Sequence, residues 1–314
     1  MNCLQGKVRV AVVQAGSVVM DCDATTAKAI QLIGEAGRQG AQLILLPEAL
    51  IPAYPRGLAF GHRVGERTAA GRADWLRYWQ NSIDVPGPVT KALGDAARAA
   101  GAYVAIGVIE RGTELGGGTL YCTLLYFGPD GALLGKHRKL KPTAAERLIW
   151  GEGDGSTLTA IDTPFGTVGG LICWENYMPL ARTAMYAKGV HIYLAPTADQ
   201  RERWQATIRH IAQEGRCYVL SCNQYVTKDM YPTDLACYDE LSGQPHVMSR
   251  GGSAIVGPLG EYVVEPVWDR EAIIVADLDL AAVPASRLDF DVVGHYARPD
   301  VFTLIVNDGK GKPA

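Results

Sequence analysis

From the N-terminus onward, apolar runs of strand length alternate with amphipathic segments of helical period. Val8-Arg-Val-Ala-Val-Val-Gln14 is rich in β-branched residues and predicts a first strand. Ala27, Ile30, Ile33 and Ala36 recur at helical spacing between Ala24 and Gly40. Ala41 to Leu46 predicts a second strand, stopped by Pro47. Val89 to Ala100 reads as another amphipathic helix. Tyr103 to Glu110, Thr119 to Phe127 and Leu133 to Leu140 follow as strands, the last two joined through the turn signal Gly128-Pro-Asp-Gly131.

The second half repeats the pattern. Thr167 to Cys173 predicts a strand, Leu180 to Lys188 a helix, and Val190 to Pro196 a strand. Trp204, Ile208, Ile211 and Ala212 mark a further helix, before strands at Tyr218 to Cys222, Gly252 to Val256 and Ala272 to Leu278, with a hairpin turn at Pro258-Leu-Gly260. Two similar α/β layers predict two sheets packed face to face with helices outside, an αββα sandwich over residues 1–280. Residues 281–314 lose the pattern and read as a C-terminal arm suited to subunit contact. Residues 51–88, broken by prolines and glycines and scattered with Tyr54, Phe60, Trp75, Tyr78 and Trp79, read as a long loop serving as a lid or binding element.

Composition narrows the function classes. A chain of 314 residues with 48% apolar and 20% charged residues has the make-up of an ordinary globular protein. A net charge of −3 without a basic stripe gives nucleic acid nothing to grip. No apolar run approaches the roughly 20 residues that cross a bilayer, and Met1 to Lys7 lacks a signal-peptide core. Seven cysteines without C-x-x-C spacing read as reduced thiols, so a cytoplasmic protein is expected. Neither H-E-x-x-H nor a phosphate-binding glycine loop occurs, so metal and phosphate sites find no support.

Three reactive groups fall at three predicted strand ends: Glu48, Lys139 and Cys173. A thiol nucleophile needs its thiolate; an ammonium lowers the thiol pKa and a carboxylate can take the proton. Lys139 and the backbone N–H of Trp174 could then hold the negative charge that develops on the attacked group. Lys136 and Lys141 flank Lys139 as rivals, His137 adjoins it, and Glu175 lies beside the nucleophile.

Pro47-Glu48, Lys136-His-Arg-Lys139-Leu-Lys-Pro-Thr143, Glu146-Arg147, Trp150-Gly-Glu-Gly-Asp-Gly155, Cys173-Trp-Glu-Asn176 and Gly294-His-Tyr-Ala-Arg-Pro-Asp300 stand in this order. They resemble the nitrilase branch of the carbon–nitrogen hydrolase superfamily nearly end to end. With Pro55-Arg-Gly57 and Ala195-Pro-Thr-Ala-Asp199, the chain looks closest to plant-type and arylacetonitrile-type nitrilases. The resemblance implies cofactor-free hydrolysis of a small-molecule nitrile to a carboxylic acid and ammonia, with Glu48 as general base, Cys173 as nucleophile and Lys139 stabilising the tetrahedral species. It implies that Glu146 is a further carboxylate orienting lysine and water. It also implies a pocket from Tyr54, Thr143, Trp150, Trp174 and Pro196, whose flat or apolar character suits an uncharged nitrile. His137 has no role as base in such a family, and Glu175 reads as structural. Homodimers building larger oligomers or spirals are implied as well. An amidase would use the same three residues on a carboxamide, and a silent homologue would keep only the fold for binding. A Cys-His-Glu glutaminase fits less well, because no glycine-flanked nucleophile turn is evident around Cys173.

Overall fold

The computed structural model describes residues 4–113 and 116–309. Cys3 and the last five residues of the C-terminal arm lie outside the described residues. In chain order the elements are β1 (Lys7–Gln14), α1 (Cys22–Arg38), β2 (Leu43–Leu45), α2 (Ala69–Asn81), α3 (Pro88–Ala100), β3 (Tyr103–Arg111), β4 (Leu120–Phe127) and β5 (Leu133–Arg138). The second half contributes β6 (Ala160–Thr163), β7 (Gly166–Gly170), α4 (Pro179–Ala187), β8 (Val190–Pro196), α5 (Glu202–Gly215) and β9 (Tyr218–Cys222). It ends with β10 (Tyr225–Thr227), β11 (Val247–Val256), β12 (Tyr262–Trp268), β13 (Ala272–Asp279) and α6 (Ala282–Ser286).

The strands form two sheets, ordered β13-β1-β2-β3-β4-β5 and β10-β11-β9-β8-β7-β6, with β12 paired to β11. Alternation along the strands explains the layering, since successive side chains leave opposite faces. Val10, Val12, Leu43 and Leu45 of the first sheet meet Ile192, Leu194 and Leu220 of the second in one central core. The intervening Ala11, Val13 and Ile44 pack outward with Ile33 of α1 and Leu93 of α3. Tyr193, Ala195 and Val219 pack outward with Met185 of α4 and Trp204 of α5. The result is the four-layer αββα sandwich that the sequence predicts.

Four expectations need correction. The segment 51–88 is not loop throughout, because it contains α2. That helix buries Gly71, Asp74 and Tyr78 instead of an aliphatic stripe. It docks by hydrogen bonds, Asp74 accepting from the Ala236 and Cys237 N–H groups and Tyr78 donating to the Ala53 carbonyl. Second, the strand before the cysteine ends at Gly170, three residues early, because the chain turns sharply into Cys173. Third, β6, not anticipated from the sequence, forms the edge beside β7. Fourth, β13 leaves the second half and pairs antiparallel with β1, tying the two layers together.

Candidate active site

Each reactive side chain is presented by backbone forced into a tight course. After β2, Leu46 to Leu50 runs over β3, with Leu46 N–H donating to the Ala105 carbonyl at 2.8 Å and Gly107 N–H donating to the Pro47 carbonyl at 3.0 Å. A Cβ on Gly107 would overlap the Pro47 carbonyl oxygen, so glycine is needed for this crossing. Ala49 adopts φ +48°, and Gln224 Nε2 donates to the Glu48 carbonyl at 2.9 Å. Glu48 is thereby aimed into the space between the sheets, 1% exposed.

Lys139 follows the last residue of β5, and its N–H donates to the Cys122 carbonyl at 2.8 Å. Its side chain has no exposed surface, and Nζ donates to Glu48 Oε1 and to Glu146 Oε2, each at 2.7 Å. Glu146 comes from a 3-10 turn, Ala144–Leu148, where its Oε2 also accepts from Thr143 N–H at 2.6 Å and Oε1 from the Tyr54 hydroxyl at 2.7 Å. The rival lysines are engaged elsewhere, Lys136 with Glu110 and Lys141 with Glu152.

Cys173 opens a 3-10 turn, Cys173–Tyr177, at φ +53°, a left-handed conformation costing a residue with a Cβ about 1–2 kcal/mol. Gly170 makes the approach possible, since a Cβ there would overlap the Leu194 carbonyl oxygen. This strand-to-turn elbow is strained without glycines two residues before and after Cys173, where Leu171 and Glu175 stand, so the expected absence of a glycine-flanked nucleophile turn holds. Asn176 holds the elbow, its Nδ2 donating to the Leu171 and Cys173 carbonyls. Glu175 joins it to the lysine: one carboxylate accepts from Ile172 N–H at 2.7 Å and Leu140 N–H at 2.5 Å, and sits 3.0 Å from His137 Nε2. His137 is spent in this buried pair. Burial pulls its pKa down, but Glu175 and the Thr157 carbonyl outweigh that and raise it.

The electrostatics differ from the simple expectation of a lowered thiol. Burial, then Glu48, push the Cys173 pKa up to about 12, while Lys139 and the Thr197 hydroxyl pull it down by less. Cys173 is therefore held as a thiol, and any attack by its sulfur would need a base to take the proton. Burial raises the Glu48 pKa against the opposing pull of Lys139. Glu48 Oε1 is occupied by Lys139, whereas Oε2 has no hydrogen-bond partner among the described residues, and the Cys173 thiol is near enough to favour the carboxylate's charge. Burial disfavours the Lys139 ammonium, but Glu48, Cys173 and Glu146 together lift its pKa well above the usual value.

Cys173 opens on a cavity of about 320 Å³, near the small end of the roughly 300–1,000 Å³ usual for ligand sites. Tyr54, Thr143 and Trp174 line it, together with Glu146. Trp150 lines an adjoining cavity of about 240 Å³ and packs edge-on against Tyr54. Pro196 does not line the cavity, because it is the buried last residue of β8; the next residue, Thr197, donates its hydroxyl to Cys173 Sγ at 3.1 Å. The lining is also not purely apolar, because Arg56, Glu146, Asp199 and Arg201 bring charged groups to it. The sequence reading gave no role to Thr197, Arg56, Asp199 or Arg201, although Pro55-Arg-Gly57 and Ala195 to Asp199 stood among the quoted motifs.

A thiol on a strained elbow, faced by a buried carboxylate and a buried ammonium in an αββα sandwich, defines a cysteine hydrolase. The chain belongs to the carbon-nitrogen hydrolase family, whose model matches residues 9–287. It is 54% identical to an aliphatic nitrilase of Sinorhizobium fredii over 303 residues, covering 96% of both chains. It is 50% identical to the bifunctional nitrilase/nitrile hydratase NIT4A of Lupinus angustifolius, covering 98% of this chain and 88% of that one. The fold is shared with Saccharomyces cerevisiae Nit3, with a TM-score of 0.69 at 22% identity over 94% of this chain and 98% of that one.

Proposed function

We propose that this protein is a nitrilase that converts a small nitrile to a carboxylic acid and ammonia through a covalent bond to Cys173. The observation that carries the reading is a Cys173 thiol that opens on one small cavity and is acted on by the buried Glu48–Lys139 pair behind it, in a chain half-identical to named nitrilases. Glu48 takes the thiol proton as Sγ adds to the nitrile carbon, and passes it to the nitrogen, giving a thioimidate. A water molecule, deprotonated by Glu48, adds to that carbon. The tetrahedral species keeps its negative charge beside Lys139 Nζ and the Trp174 N–H, which lies in the first turn of its helix and has no intrahelical acceptor. Glu48 returns the proton to nitrogen, then carries the proton of the new hydroxyl to the same nitrogen as the C–N bond breaks and the C=O bond forms, so that ammonia leaves a thioester. A second water, activated in the same way, releases the acid and restores the thiol. Glu146 holds the ammonium from its other side and keeps it aimed at the reacting atoms.

Collapse of the tetrahedral species with loss of the thiol instead of ammonia yields an amide, the outcome suggested by the hydratase half of the lupin relative's name. Cys173→Ser is the test: it should fold, release no ammonia from any nitrile in a panel, and lose the covalent mass adduct on the Cys173 peptide. Full activity in that variant would overturn the reading. Turnover of amides alone would turn it into an amidase.

The same reading takes residues 1–280 as one catalytic domain and 281–314 as an arm for self-association. Exposed Leu180 of α4 borders a groove of about 680 Å³ shared with Tyr296 and Phe302 of the arm, an apolar surface that a second copy could cover. A monomer in sedimentation at micromolar concentration would contradict homo-oligomers. The six described cysteines are all free thiols, which supports a reducing, cytoplasmic setting. Among the described residues no helix is long and apolar enough to cross a membrane.

A further inference from the structure

The charged groups around the cavity do not balance evenly from floor to mouth. At the floor, where Glu146 lines the cavity, the buried Lys139 behind it serves both Glu146 and Glu48, which leaves one negative charge in excess. On one wall, Arg201 is neutralised by Asp199 through paired hydrogen bonds, and its guanidinium stacks 4.9 Å over the Trp174 ring, whose own N–H also donates to Asp199. Arg56 is different. It lines the same cavity half-buried, donates to the Ala198 carbonyl, and lies 5.3 Å from the Tyr54 ring centroid, yet it forms an ion pair with no carboxylate among the described residues.

A guanidinium has five N–H donors in a planar fork suited to carboxylate, and here most of them have no acceptor among the described residues. Holding such a charge half-desolvated without a counter-ion is costly unless a ligand brings one. The position also sets a length. Arg56 sits against the ring of Tyr54, and the hydroxyl of that ring reaches Glu146, so the free cation lies within a short aliphatic chain's span of the catalytic cluster. The excess negative charge at the floor repels an anion there, which forces a bifunctional substrate to enter nitrile first.

We propose that the substrate is a short cyano acid, its nitrile at Cys173 and its carboxylate on Arg56. This rests on the nitrilase reading and adds the substrate class to it. No step of the chemistry changes; Arg56 determines specificity.

The test compares cyanobutanoate with its uncharged isostere, in which an isopropyl group replaces the carboxylate. Wild-type protein should favour the cyano acid by about tenfold or more in kcat/KM, through KM. Arg56→Met should collapse that ratio towards one, and Arg56→Lys should restore part of it; thermal unfolding of both variants controls for damage to the loop. Preference for the uncharged compound, or a preference for the acid that Arg56→Met leaves intact, would overturn the proposal while the nitrilase reading stands. Turnover of neither compound, with no adduct on Cys173, would remove the nitrilase reading itself and this one with it.

Discussion

The Thr197 hydroxyl donates to the sulfur of Cys173 at 3.1 Å, across the gap between the end of β8 and the nucleophile elbow. Thr197 is held for this by its own backbone, its N–H donating to the Cys222 carbonyl at 2.8 Å, while its hydroxyl oxygen accepts from Asp199 N–H at 2.9 Å. It is the one hydroxyl among the groups that lower the raised Cys173 pKa.

Thr197→Val keeps the shape and removes the donor. A hydrogen bond to a charged group contributes about 1.5–3 kcal/mol, so kcat/KM should fall by roughly 10- to 100-fold. Alkylation of Cys173 by iodoacetamide at fixed pH should slow in parallel, because less thiolate forms. Thr197→Ser should recover most of both. Unchanged alkylation in Thr197→Val would mean that the contact does nothing for the sulfur.

Burial makes Lys139 the hinge of stability as well as of chemistry. With its side chain fully covered and a carboxylate 2.7 Å away on each side, removing it leaves Glu48 and Glu146 facing one another without a cation. Losing one partner of a buried ion pair costs about 3–5 kcal/mol. Lys139→Met should therefore unfold at markedly lower urea than wild type and be inactive. Adding Glu48→Gln removes one of the stranded charges, so the double variant should regain part of the stability while staying inactive. A double variant no more stable than the single one would show that the penalty lies in packing and not in charge.

How far the fold and site can be read in the sequence follows from where the determining forces act. Strands β1, β8 and β9 bury alternate residues in two different layers, and such a period is visible in the residues themselves. Helix α2 escaped because Asp74 and Tyr78 dock it through hydrogen bonds to distant backbone, which leave no apolar period. Glu48, Lys139 and Cys173 stand out as reactive residues at strand ends. What is not legible is what the two sheets do on meeting: the overlap at Gly170 that bends the chain into Cys173, and the contact of Thr197 with sulfur. The direction of the Cys173 shift belongs with these. An adjacent lysine alone argues for a lowered thiol, but burial and two carboxylates, which only the folded chain assembles, reverse the sign.

That reversal sets the pH dependence of the reaction. In the proposed mechanism Glu48 must be ionised to accept the thiol proton, and burial holds its pKa above the ordinary carboxylate value, with Glu146 adding to the rise. Activity should then be full above the raised Glu48 pKa and fall as the pH drops through it, an acid limb lying above the usual glutamate range of about 4.3. On the alkaline side, the Lys139 pKa is lifted well above its usual value and the thiol is pushed up to about 12, so neither group should cost activity before roughly pH 10. Glu146→Gln removes a negative charge that raises the Glu48 pKa, while the Lys139 contact to Glu48 remains. The acid limb of kcat/KM should consequently move to lower pH in this variant, even as kcat declines because the lysine has lost one of its two anchors. The profile is measurable by ammonia release across overlapping buffers, and a limb that stays in place or moves upward in Glu146→Gln would remove Glu48 from the role of base.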